Sequence, residues 1–599
     1  MVITCNNACT DIICTQQRHG GLVRKQPSLS RYRSDISFQR IQSAIAFCQP
    51  TINRMFRSPE EIGLYEKLEL PLNITAVFVN PFDPDEVNVT ATFKAPSGKE
   101  WKVPGFYSQA RRGGFVVRFS ANETGQWSYT VSVTDKTGTA TSEPRTINVI
   151  PSEYHGPIQI AQNKRYLEHV DGTPWFGVGL WYNGENDTEV LDELHSMGVN
   201  FISHLIPTIE TWGTGLGRYD QVLCQQIDEL LDELEKRDMQ FALNFWFHSF
   251  LSETVWGGGN IAWYTNPYQL ICDAKDFYSS DEAWKFQEKL YRYMIARWGY
   301  SRSLAIWFIV DEVNGTDGWM AGDSIGAAVW VKKVHDYFKT NDPWNHLTTG
   351  TRSGGIEEWW DRGYEVLDMA GREIYEAQGF PINKTGQIDK DETHPLTYSY
   401  LNYHGQVKKL WDNYEKPAII PETGWDHTFY EMSMPGYQSY FHNTLWVTWA
   451  SGSAMSPFWW SYSDQINDNI VTNQLRHYRR FTEQIPFSKL TGLKPLEASN
   501  PGGHAFVMGS DQIIFGWAVN ANTDMSGKTI TINGVKKGEY KLKLYHTWSG
   551  RYIEVDGQRE LQLKSDKNSL IFTVPILKIE GGHARYVGQD VAFVLEPVN

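Results

Sequence analysis

Residues 305–315, AIWFIVDEVNG, form an apolar run typical of a buried β-strand, and the run stops abruptly on two adjacent carboxylates, Asp311 and Glu312. A second run ends in the same way, since residues 416–424, KPAIIPETG, deliver Glu422. In a parallel barrel the C-terminal ends of the strands meet at one mouth. We therefore expect the two acids to face one another there.

The composition limits the number of domains and the classes of partner. A chain of 599 residues is too long for one ordinary core, so two to four domains are expected. The formal charge of -15 argues against a nucleic-acid or anionic-membrane partner. No apolar run reaches the roughly 18 residues of a spanning helix. The 24 Trp, 30 Tyr and 29 Phe exceed what the cores require, and spare aromatic rings are the usual platforms for sugar faces.

The opening segment, residues 1–57, is predicted to be poorly ordered or to lie outside the working protein. It mixes Arg, Gln and Ser with scattered apolar residues, and no coherent apolar core of a secretory signal is visible. Its cysteines lack a CxxC pair, which argues against a metal site. Only Cys224 and Cys272 fall in the body of the chain, so no disulfide framework is implied.

The rest of the chain divides into three regions by its hydrophobic pattern. Residues 58–152 alternate as in VNVTATFKA, with Gly, Pro and Asn turns, which predicts a β-sandwich. In residues 153–487 short apolar runs alternate with amphipathic stretches such as QQIDELLDELEKRD, the rhythm of a parallel sheet. Residues 488–599 return to short strands. The predicted fold is therefore multidomain, a (β/α)8 TIM barrel flanked by N-terminal and C-terminal β-sandwich domains.

Eight candidate strands in the central region fit a closed barrel. They are WFGVGLW, FISHLI, QFALNFW, AIWFIV, HLTTGT, VLDMAGREIY, PAIIPE and SAMSPFWW. Glu312 then ends the fourth strand and Glu422 ends the seventh. Paired carboxylates of this kind are the machinery of glycoside hydrolysis.

With its acids at these two strand ends, the barrel region resembles the clan A glycoside hydrolases, which include cellulases, mannanases and many β-galactan hydrolases. YRYMIARWG before the fourth strand is similar to family 5 members, KPAIIPETG to their seventh strand and SAMSPFWW to their eighth. The resemblance implies a retaining mechanism with Glu312 as general acid/base and Glu422 as nucleophile. It also nominates Trp459 or Trp460 as the ring that stacks on the sugar.

Asp311 departs from that pattern, because the clan normally has Asn immediately before the acid/base. An ionised Asp311 can still accept a hydrogen bond from the sugar 2-hydroxyl, but its charge would push one pKa upward in the pair with Glu312. We expect this to keep Glu312 protonated near neutrality and to indicate an unusual sugar at the cleavage position.

Further substrate-binding candidates follow the other strands. Tyr375, at the end of GREIY, stands where many clan members carry a group that positions the nucleophile, and Glu373 lies beside it. The remaining candidates are Asn244, Trp246 and His248 after the third strand, Trp181 and Asn183 after the first, His427 just past Glu422, and Glu376 beside Tyr375.

The flanking regions also show resemblances. FVNPFDPDEVNVTATFKAPSGKEWKVPGFY is similar to a bacterial domain of unknown function that often precedes barrel glycosidases in polysaccharide-degrading bacteria. The C-terminal region looks like the accessory β-domain of such enzymes. The resemblances imply scaffold roles and a secreted or periplasmic protein, although no signal peptide is visible.

Two alternatives to hydrolysis of a glycoside were weighed. GDSIG, residues 322–326, matches the nucleophile elbow of serine esterases, but that elbow requires a strand immediately before it, and we interpret Asp323 or Ser324 as a helix N-cap instead. A non-catalytic carbohydrate-binding surface protein is disfavoured because Glu is retained at both strand ends. A third possibility is an inverting hydrolase, whose two carboxyl groups lie farther apart than those of a retaining enzyme.

No cofactor is required by the sequence. GTGLG, residues 213–217, has its third Gly misplaced for a dinucleotide fingerprint and is interpreted as a substrate-binding loop. HExxH, EF-hand and P-loop patterns do not occur, so neither a metal nor a nucleotide is implied.

The expected substrate is a polysaccharide or its oligosaccharides, with the alternative of a β-glucan or mannan left open. Asp311 and the accessory domain favour a marine galactan such as agar, porphyran or carrageenan. A sulfated polymer would require basic residues in the cleft, for which Arg218, Arg352 and Arg372 are the candidates.

Overall fold

The structure, a computed structural model, describes residues 49–182, 187–206, 208–254, 262–353, 359–375, 396–424, 437–460, 469–520, 523–566, 568–577 and 589–598. Of the segment predicted to be poorly ordered, residues 1–48 lie outside this description, and residues 51–55 form a strand. The chain divides into two compact units. Among the described residues, the first comprises 49–153, 217–221 and 286–300, and the second comprises the remainder.

The first unit contains ten strands arranged in two sheets. Phe93 and Phe119, one from each sheet, stack with their ring centroids 3.9 Å apart, so the buried faces of the two sheets meet. The strands are β1 (Thr51–Met55), β2 (Glu61–Gly63), β3 (Lys67–Thr75), β4 (Val87–Lys94), β5 (Glu100–Pro104), β6 (Phe106–Tyr107), β7 (Gly114–Ser120), β8 (Gly125–Asp135), β9 (Gly138–Thr141) and β10 (Arg145–Ile150).

One of these sheets has the order β1-β3-β7-β6, and the other has the order β2-β10-β8-β4-β5 with β9 paired to β8. All neighbours are antiparallel except β2 and β10. Side chains in β4 alternate between buried and partly exposed, as the two-residue period of a strand requires. This alternation is the pattern that the sequence shows in VNVTATFKA.

The second unit begins with a small antiparallel sheet of β11 (Ile158–Ile160), β12 (Leu167–His169) and β13 (Pro174–Trp175). A seven-stranded parallel sheet follows, and its strands are neighbours in the order of the sequence. They are β14 (Gly179–Trp181), β15 (Phe201–Leu205), β16 (Gln240–Asn244), β17 (Leu304–Val310), β18 (Leu347–Arg352), β19 (Ala370–Arg372) and β21 (Ala418–Ile419). Every residue of β17 is buried, which explains its unbroken apolar sequence.

The predicted eighth strand, SAMSPFWW, closes this sheet through single bridges. Trp181 N donates to Trp459 O at 3.0 Å, and Phe458 N donates to Ile420 O at 2.9 Å, so the segment bonds to both the first and the seventh strand. Its parallel bridges are Gly177 to Met455, Leu180 to Trp459 and Thr423 to Trp459. The result is a ring of parallel strands like that of a TIM barrel. Two short strands extend it at the C-terminal edge, β20 (Ile374–Tyr375) paired with β22 (Thr423–Gly424).

The helix Gln221–Lys236, which connects the second and third barrel strands, is amphipathic, with Ile227, Leu230 and Leu234 on its buried side. Among the described residues, none of the helices combines the length and the apolar character needed to cross a bilayer. The helices are α1 (Thr188–Ser196), α2 (Gln221–Lys236), α3 (Asp281–Trp298), α4 (Asp317–Met320), α5 (Ser324–Asn341), α6 (Asp361–Val366), α7 (Leu396–Asn413), α8 (Tyr437–Ala450) and α9 (Asn469–Thr482).

The C-terminal part of the second unit consists of strands around one apolar core that includes Ile532, Leu542, Phe572 and Phe593. The strands are β23 (Lys494–Leu496), β24 (Ala498–Ser499), β25 (His504–Gly509), β26 (Ile514–Val519), β27 (Thr529–Asn533), β28 (Gly538–His546), β29 (Arg551–Tyr552), β30 (Leu561–Ser565), β31 (Ser569–Thr573) and β32 (Asp590–Pro597). They form a sheet of order β23-β25-β26-β32-β28-β29, with β30 paired to β28, and a three-stranded sheet of order β24-β27-β31.

Candidate active site

Four carboxyl groups gather at the C-terminal ends of the barrel strands. Asp311 and Glu312 follow β17, Glu373 lies between β19 and β20, and Glu422 precedes β22. All four are buried, with exposed fractions of 0%, 8%, 1% and 5% respectively. We call these residues the acid cluster. The mouth of a barrel is where catalytic groups from different strands can converge.

Glu312 has an unusual backbone conformation. Its φ of 49° and ψ of 54° place it in the left-handed region, which costs a residue with a side chain about 1 kcal/mol. Two hydrogen bonds hold the residue there: its N–H donates to Thr351 Oγ1 at 2.9 Å, and its carbonyl accepts from Gly315 N at 2.7 Å. Strain that the surroundings maintain in this way is characteristic of functional positions.

The carboxylate of Glu312 lies against His248, with Oε2 and Nδ1 2.9 Å apart. His248 begins the short 3-10 helix His248–Leu251 that follows the third barrel strand. Burial disfavours the ionised form of Glu312, but the hydrogen bond and the charge of His248 outweigh it and lower the pKa of Glu312 below its usual value. The two side chains therefore form a pair that shares a proton-binding site.

Glu422 is oriented by Tyr375, whose hydroxyl donates to Glu422 Oε1 at 2.5 Å. No hydrogen-bond partner for Glu422 Oε2 occurs among the described residues, so this oxygen keeps its lone pairs available. Burial and then the charges of Asp311 and Glu312 raise the pKa of Glu422 well above its usual value, against the opposing effect of the Tyr375 hydrogen bond. Burial and the neighbouring Glu422 also raise the pKa of Tyr375.

Asp311 and Glu373 meet at Thr351, the fifth residue of β18. Thr351 Oγ1 lies 3.1 Å from Asp311 Oδ1 and also bonds to Glu373 Oε1. Burial raises the pKa of Asp311 to about 6, and the charge of Glu312 adds to the rise. Burial and the charges of Asp311 and Glu422 raise the pKa of Glu373 well above its usual value.

These shifts correct one expectation from the sequence. Asp311 was expected to raise the pKa of Glu312 and so to keep it protonated. The rise falls instead on Asp311 itself, and the pKa of Glu312 is lowered. The reason is His248, a cationic or hydrogen-bonding neighbour whose contact with Glu312 could not be predicted from sequence spacing.

The acid cluster also contains the residues best placed to hold a cation. One carboxyl oxygen each of Asp311, Glu373 and Glu422 lies within 4.8 Å of the others, and this is the set of metal-compatible side chains found in the described part of the chain. At that distance two full negative charges repel by about 3 kcal/mol at an effective dielectric constant of 20. A proton or a cation would offset part of this repulsion.

Aromatic side chains surround the acids, but most serve the core. Trp246 is fully buried against Phe277, and Trp459, 2% exposed, packs its ring 4.9 Å from Phe441. Trp181 is also buried and donates its indole N–H to Pro421 O at 2.8 Å. Trp460 differs, because it is partly exposed while its ring lies 5.2 Å from that of Trp181.

Asn244 ends β16 as predicted and is fully buried, and neither atom of its amide has a hydrogen-bond partner among the described residues. Arg352 and Arg372 are buried at the ends of β18 and β19, whereas Arg218 is exposed. The other candidates, His427, Asn183 and Glu376, lie outside the described residues.

Three polar residues of the site were missed by the sequence reasoning. Thr351 bonds to two of the acids. Ser353 and Asn314 bond to each other twice: Ser353 N donates to Asn314 Oδ1 at 2.9 Å, and Asn314 Nδ2 donates to Ser353 O at 3.1 Å. The signal was present in the fifth strand, HLTTGTRS, which turns polar at the end where catalytic groups collect.

The structure contradicts the nucleophile elbow in GDSIG. Ser324 begins α5, and Asp323 caps this helix by accepting from Gly326 N at 2.7 Å. The preceding element is α4, not a strand. The predicted N-cap is thus confirmed, with Asp323 as the capping residue.

Comparisons with known proteins agree with this architecture. Residues 61–134 match a family described as a domain of unknown function, DUF5060. No curated protein matches the chain.

Among solved structures, a proposed glycoside hydrolase from Bacteroides vulgatus has a TM-score of 0.59 at 14% identity, over 90% of this chain and 100% of that one. A glycoside hydrolase family 5 protein from the same species has a TM-score of 0.49 at 12% identity, over 74% of this chain and 94% of that one. A family 5 mannosidase from Rhizomucor miehei has a TM-score of 0.42 at 15% identity, over 56% of this chain and 99% of that one. The likeness to the first of these shows a shared fold, a multidomain architecture with a TIM-like barrel.

Proposed function

We propose that the protein is a retaining β-glycoside hydrolase that acts on a polysaccharide or its oligosaccharides. The observation that carries the proposal is the pair of buried carboxyl groups, Glu312 and Glu422, that follow the fourth and seventh barrel strands. Each has a different partner, His248 and Tyr375 respectively. Two carboxyl groups in distinct environments can take the two roles that glycoside hydrolysis requires.

Glu422 acts as the nucleophile. The hydroxyl of Tyr375 fixes Oε1 and leaves Oε2 to attack the anomeric carbon. The bond from that carbon to the leaving oxygen breaks as the ester to Glu422 forms, and the leaving oxygen takes a proton from Glu312. In the second step Glu312 removes a proton from water, which attacks the same carbon and releases Glu422.

Glu312 acts as the acid and then as the base. Its contact with His248 accommodates one proton on either partner, so the pair can give a proton to the leaving oxygen and recover one from water. The negative charge of Glu312 is one cause of the raised pKa of Glu422. Protonation of Glu312 therefore favours ionisation of Glu422, which is the combination that the first step needs.

The proposed substrate class is a galactan, and the buried arginines favour a neutral one such as agar over the sulfated porphyran and carrageenan. Arg352 donates to Ser353 O at 3.0 Å, and the guanidinium of Arg372 lies 4.8 Å from the Trp359 ring centroid. Both are engaged within the protein, not presented to a sulfate. The partly exposed Trp460 is the proposed platform for the sugar, in preference to the buried Trp459. A glucan or a mannan remains the alternative substrate.

We further propose that the sheets formed by the sequence before and after the barrel are β-sandwich scaffolds. In the N-terminal unit, apolar rings of two sheets meet, and in the C-terminal region the strands enclose one apolar core. A scaffold role needs only a packed apolar core, and a sugar-binding surface is not required for it. A secreted or periplasmic location would follow from a polymeric substrate.

The proposal is tested with Glu312→Gln and Glu422→Gln, assayed on polysaccharides by release of reducing sugar and on an activated dinitrophenyl glycoside. Each variant should lose about 10²- to 10⁴-fold in kcat on the polymer. On the activated glycoside only Glu422→Gln should be inactive, because that leaving group needs no acid. Glu365→Gln, which removes an exposed carboxyl group on α6, is the matched control.

Wild-type rates in both variants would contradict the proposal. Binding of polysaccharide without turnover by the native protein would support the non-catalytic carbohydrate-binding alternative. An inverted anomer as the first product, observed by NMR, would indicate an inverting hydrolase.

A further inference from the structure

We propose that Asp311 and Glu373 hold a single proton between them and that this pair, acting through Thr351, positions Glu312 for acid catalysis. The positioning role rests on the function proposed above, whereas the shared proton does not. The pair replaces the neutral amide that the sequence pattern would place before Glu312. Thr351 and Glu373 act through Glu312 and are therefore positioning residues.

The hydroxyl of Thr351 shows that a proton is needed. Thr351 Oγ1 accepts the N–H of Glu312 at 2.9 Å and contacts a carboxyl oxygen of both Asp311 and Glu373. A hydroxyl has one hydrogen to donate and two lone pairs to accept. It can donate to one carboxylate only, so the other carboxyl group bonds to it only if that group carries a proton of its own.

Burial leaves the pair little compensation from solvent. Asp311 and Glu373 are 0% and 1% exposed, and neither Asp311 Oδ2 nor Glu373 Oε2 has a hydrogen-bond partner among the described residues. Two ionised carboxylates so close together in a buried site are strongly disfavoured. The titratable groups that face the pair are Glu312, Glu422, His248, Tyr364 and Tyr375.

The raised pKa values of Asp311 and Glu373 agree with the geometry. For both groups burial is the largest cause, and the charge of a neighbouring carboxylate adds to it. Burial and the neighbouring charges therefore both favour a protonated form of the pair.

Thr351 links the protonation of the pair to the position of Glu312. The hydroxyl that bonds to the two carboxyl groups also accepts the backbone N–H of Glu312, which is held in the left-handed conformation. If the pair loses its proton, the oxygen of Thr351 faces two negative charges with one hydrogen. The bond that fixes Glu312 is then weakened, and the carboxyl group of Glu312 leaves the position from which it protonates the leaving oxygen.

The positioning role is tested with Thr351→Val, which removes the hydroxyl at nearly constant volume. We expect kcat/KM on the polymer to fall at least tenfold and kcat/KM on a dinitrophenyl glycoside to fall less than threefold. Thr351→Ser should restore most of the loss. The control is Thr349→Val on the same strand, whose hydroxyl contacts Met369 O at 3.5 Å and whose activity should be unchanged. Equal losses on both substrates would overturn the positioning role.

The shared proton is tested by thermal unfolding of wild type and Glu373→Gln as a function of pH. A carboxyl group whose folded-state pKa is raised stabilises the protein fully below its unfolded-state pKa of about 4.3, and this stabilisation is lost as pH rises through the folded-state value. As pH rises, the Tm of Glu373→Gln should therefore increase relative to the Tm of wild type. Glu365→Gln should run parallel to wild type.

A constant difference between wild type and Glu373→Gln at every pH would overturn the shared proton. So would a stoichiometric cation, measured by elemental analysis in the wild type and absent from Glu373→Gln, because that cation would take the place of the proton. In activity, Glu373→Gln should retain at least ten times the kcat/KM of Glu373→Leu, since the amide can still donate.

Failure of the proposed function is distinguishable from failure of this inference. The first would show in the wild type as absence of turnover on every glycoside. The second would show as parallel unfolding curves, or as losses independent of the leaving group, in an enzyme that is active.

Discussion

Glu312 combines a left-handed backbone, a nearly buried carboxyl group and a contact with His248. Each of these features has a cost that the surrounding residues offset. The backbone is held by Thr351 and Gly315, and the charge is balanced by the imidazole. A residue held in this way loses little further freedom when substrate binds, which favours a positioned proton donor.

His248→Asn should shift the pH profile. His248 is the main favourable cause of the lowered pKa of Glu312, so its loss should raise that pKa and move the alkaline limb of kcat/KM to higher pH. The rate at the optimum should also fall about tenfold, within the contribution of a general acid. The measurement is kcat/KM against pH, with His195→Asn at an exposed position on α1 as the control. An alkaline limb that stays in place or moves to lower pH would contradict the pairing.

At the scale of single residues, the sequence predicted those candidates that lie at the end of a recognisable strand. Glu422 and Tyr375 follow recognisable strand ends, and the structure joins them by a hydrogen bond. Thr351 could not be distinguished, because Thr is a common strand residue on propensity alone. Only the contacts of its hydroxyl with two carboxyl groups from other strands reveal its role.

At the scale of elements, the predicted barrel rhythm largely matches the observed strands. The sixth candidate, VLDMAGREIY, is divided into β19 and β20 at Glu373, since β19 pairs with β21 and β20 pairs with β22. The eighth, SAMSPFWW, forms bridges only. Hydrophobic periodicity predicts that a segment is buried, but not how many ladder hydrogen bonds it makes.

Asp323→Ala tests the interpretation of GDSIG as a helix start. The side chain of Asp323 satisfies the N–H of Gly326 at the beginning of α5, and loss of such a cap costs about 1 kcal/mol of stability. We expect a lowered denaturation midpoint with unchanged kcat. Ser324→Ala is the comparison and should leave both stability and turnover unchanged. Abolished turnover in Ser324→Ala would instead support the esterase.

At the scale of the whole molecule, a buried polar cluster joins the barrel to the C-terminal sheet within the second unit. Asp590 of β32 accepts from His442 Nε2 of α8 at 2.9 Å and from Trp517 Nε1 at 2.7 Å. Thr547 and Trp548 donate to the same carboxylate at 2.6 and 2.9 Å. These donors outweigh burial and lower the pKa of Asp590. A carboxylate that satisfies four donors fixes the two parts in one arrangement.

Asp590→Ala should destabilise both parts together. Removing one partner of a buried, hydrogen-bonded charge pair costs about 3 to 5 kcal/mol. Calorimetry should show one transition at a lower temperature. Asp511→Ala, which removes a surface ion pair with Lys536, is the control and should stay close to wild type. A wild-type Tm for Asp590→Ala would contradict the role of the cluster.

The TIM-like barrel could be predicted from the sequence because short apolar runs alternate there with amphipathic stretches. The substrate could not, since one barrel supports many chemistries and specificity depends on loops after the strands. His427 and Glu376, two of the candidates in such loops, lie outside the described residues. The formal charge of -15 argues against a polyanionic partner, but it does not choose among neutral polysaccharides.

The most direct test of the catalytic assignment is to trap the covalent intermediate. An activated 2-deoxy-2-fluoro glycoside of the preferred sugar is incubated with the enzyme, and the labelled peptide is identified by mass spectrometry. The account predicts one glycosyl group per chain, attached to Glu422. Attachment to Glu312, Asp311 or Glu373, or turnover of the glycoside without any covalent label, would contradict it.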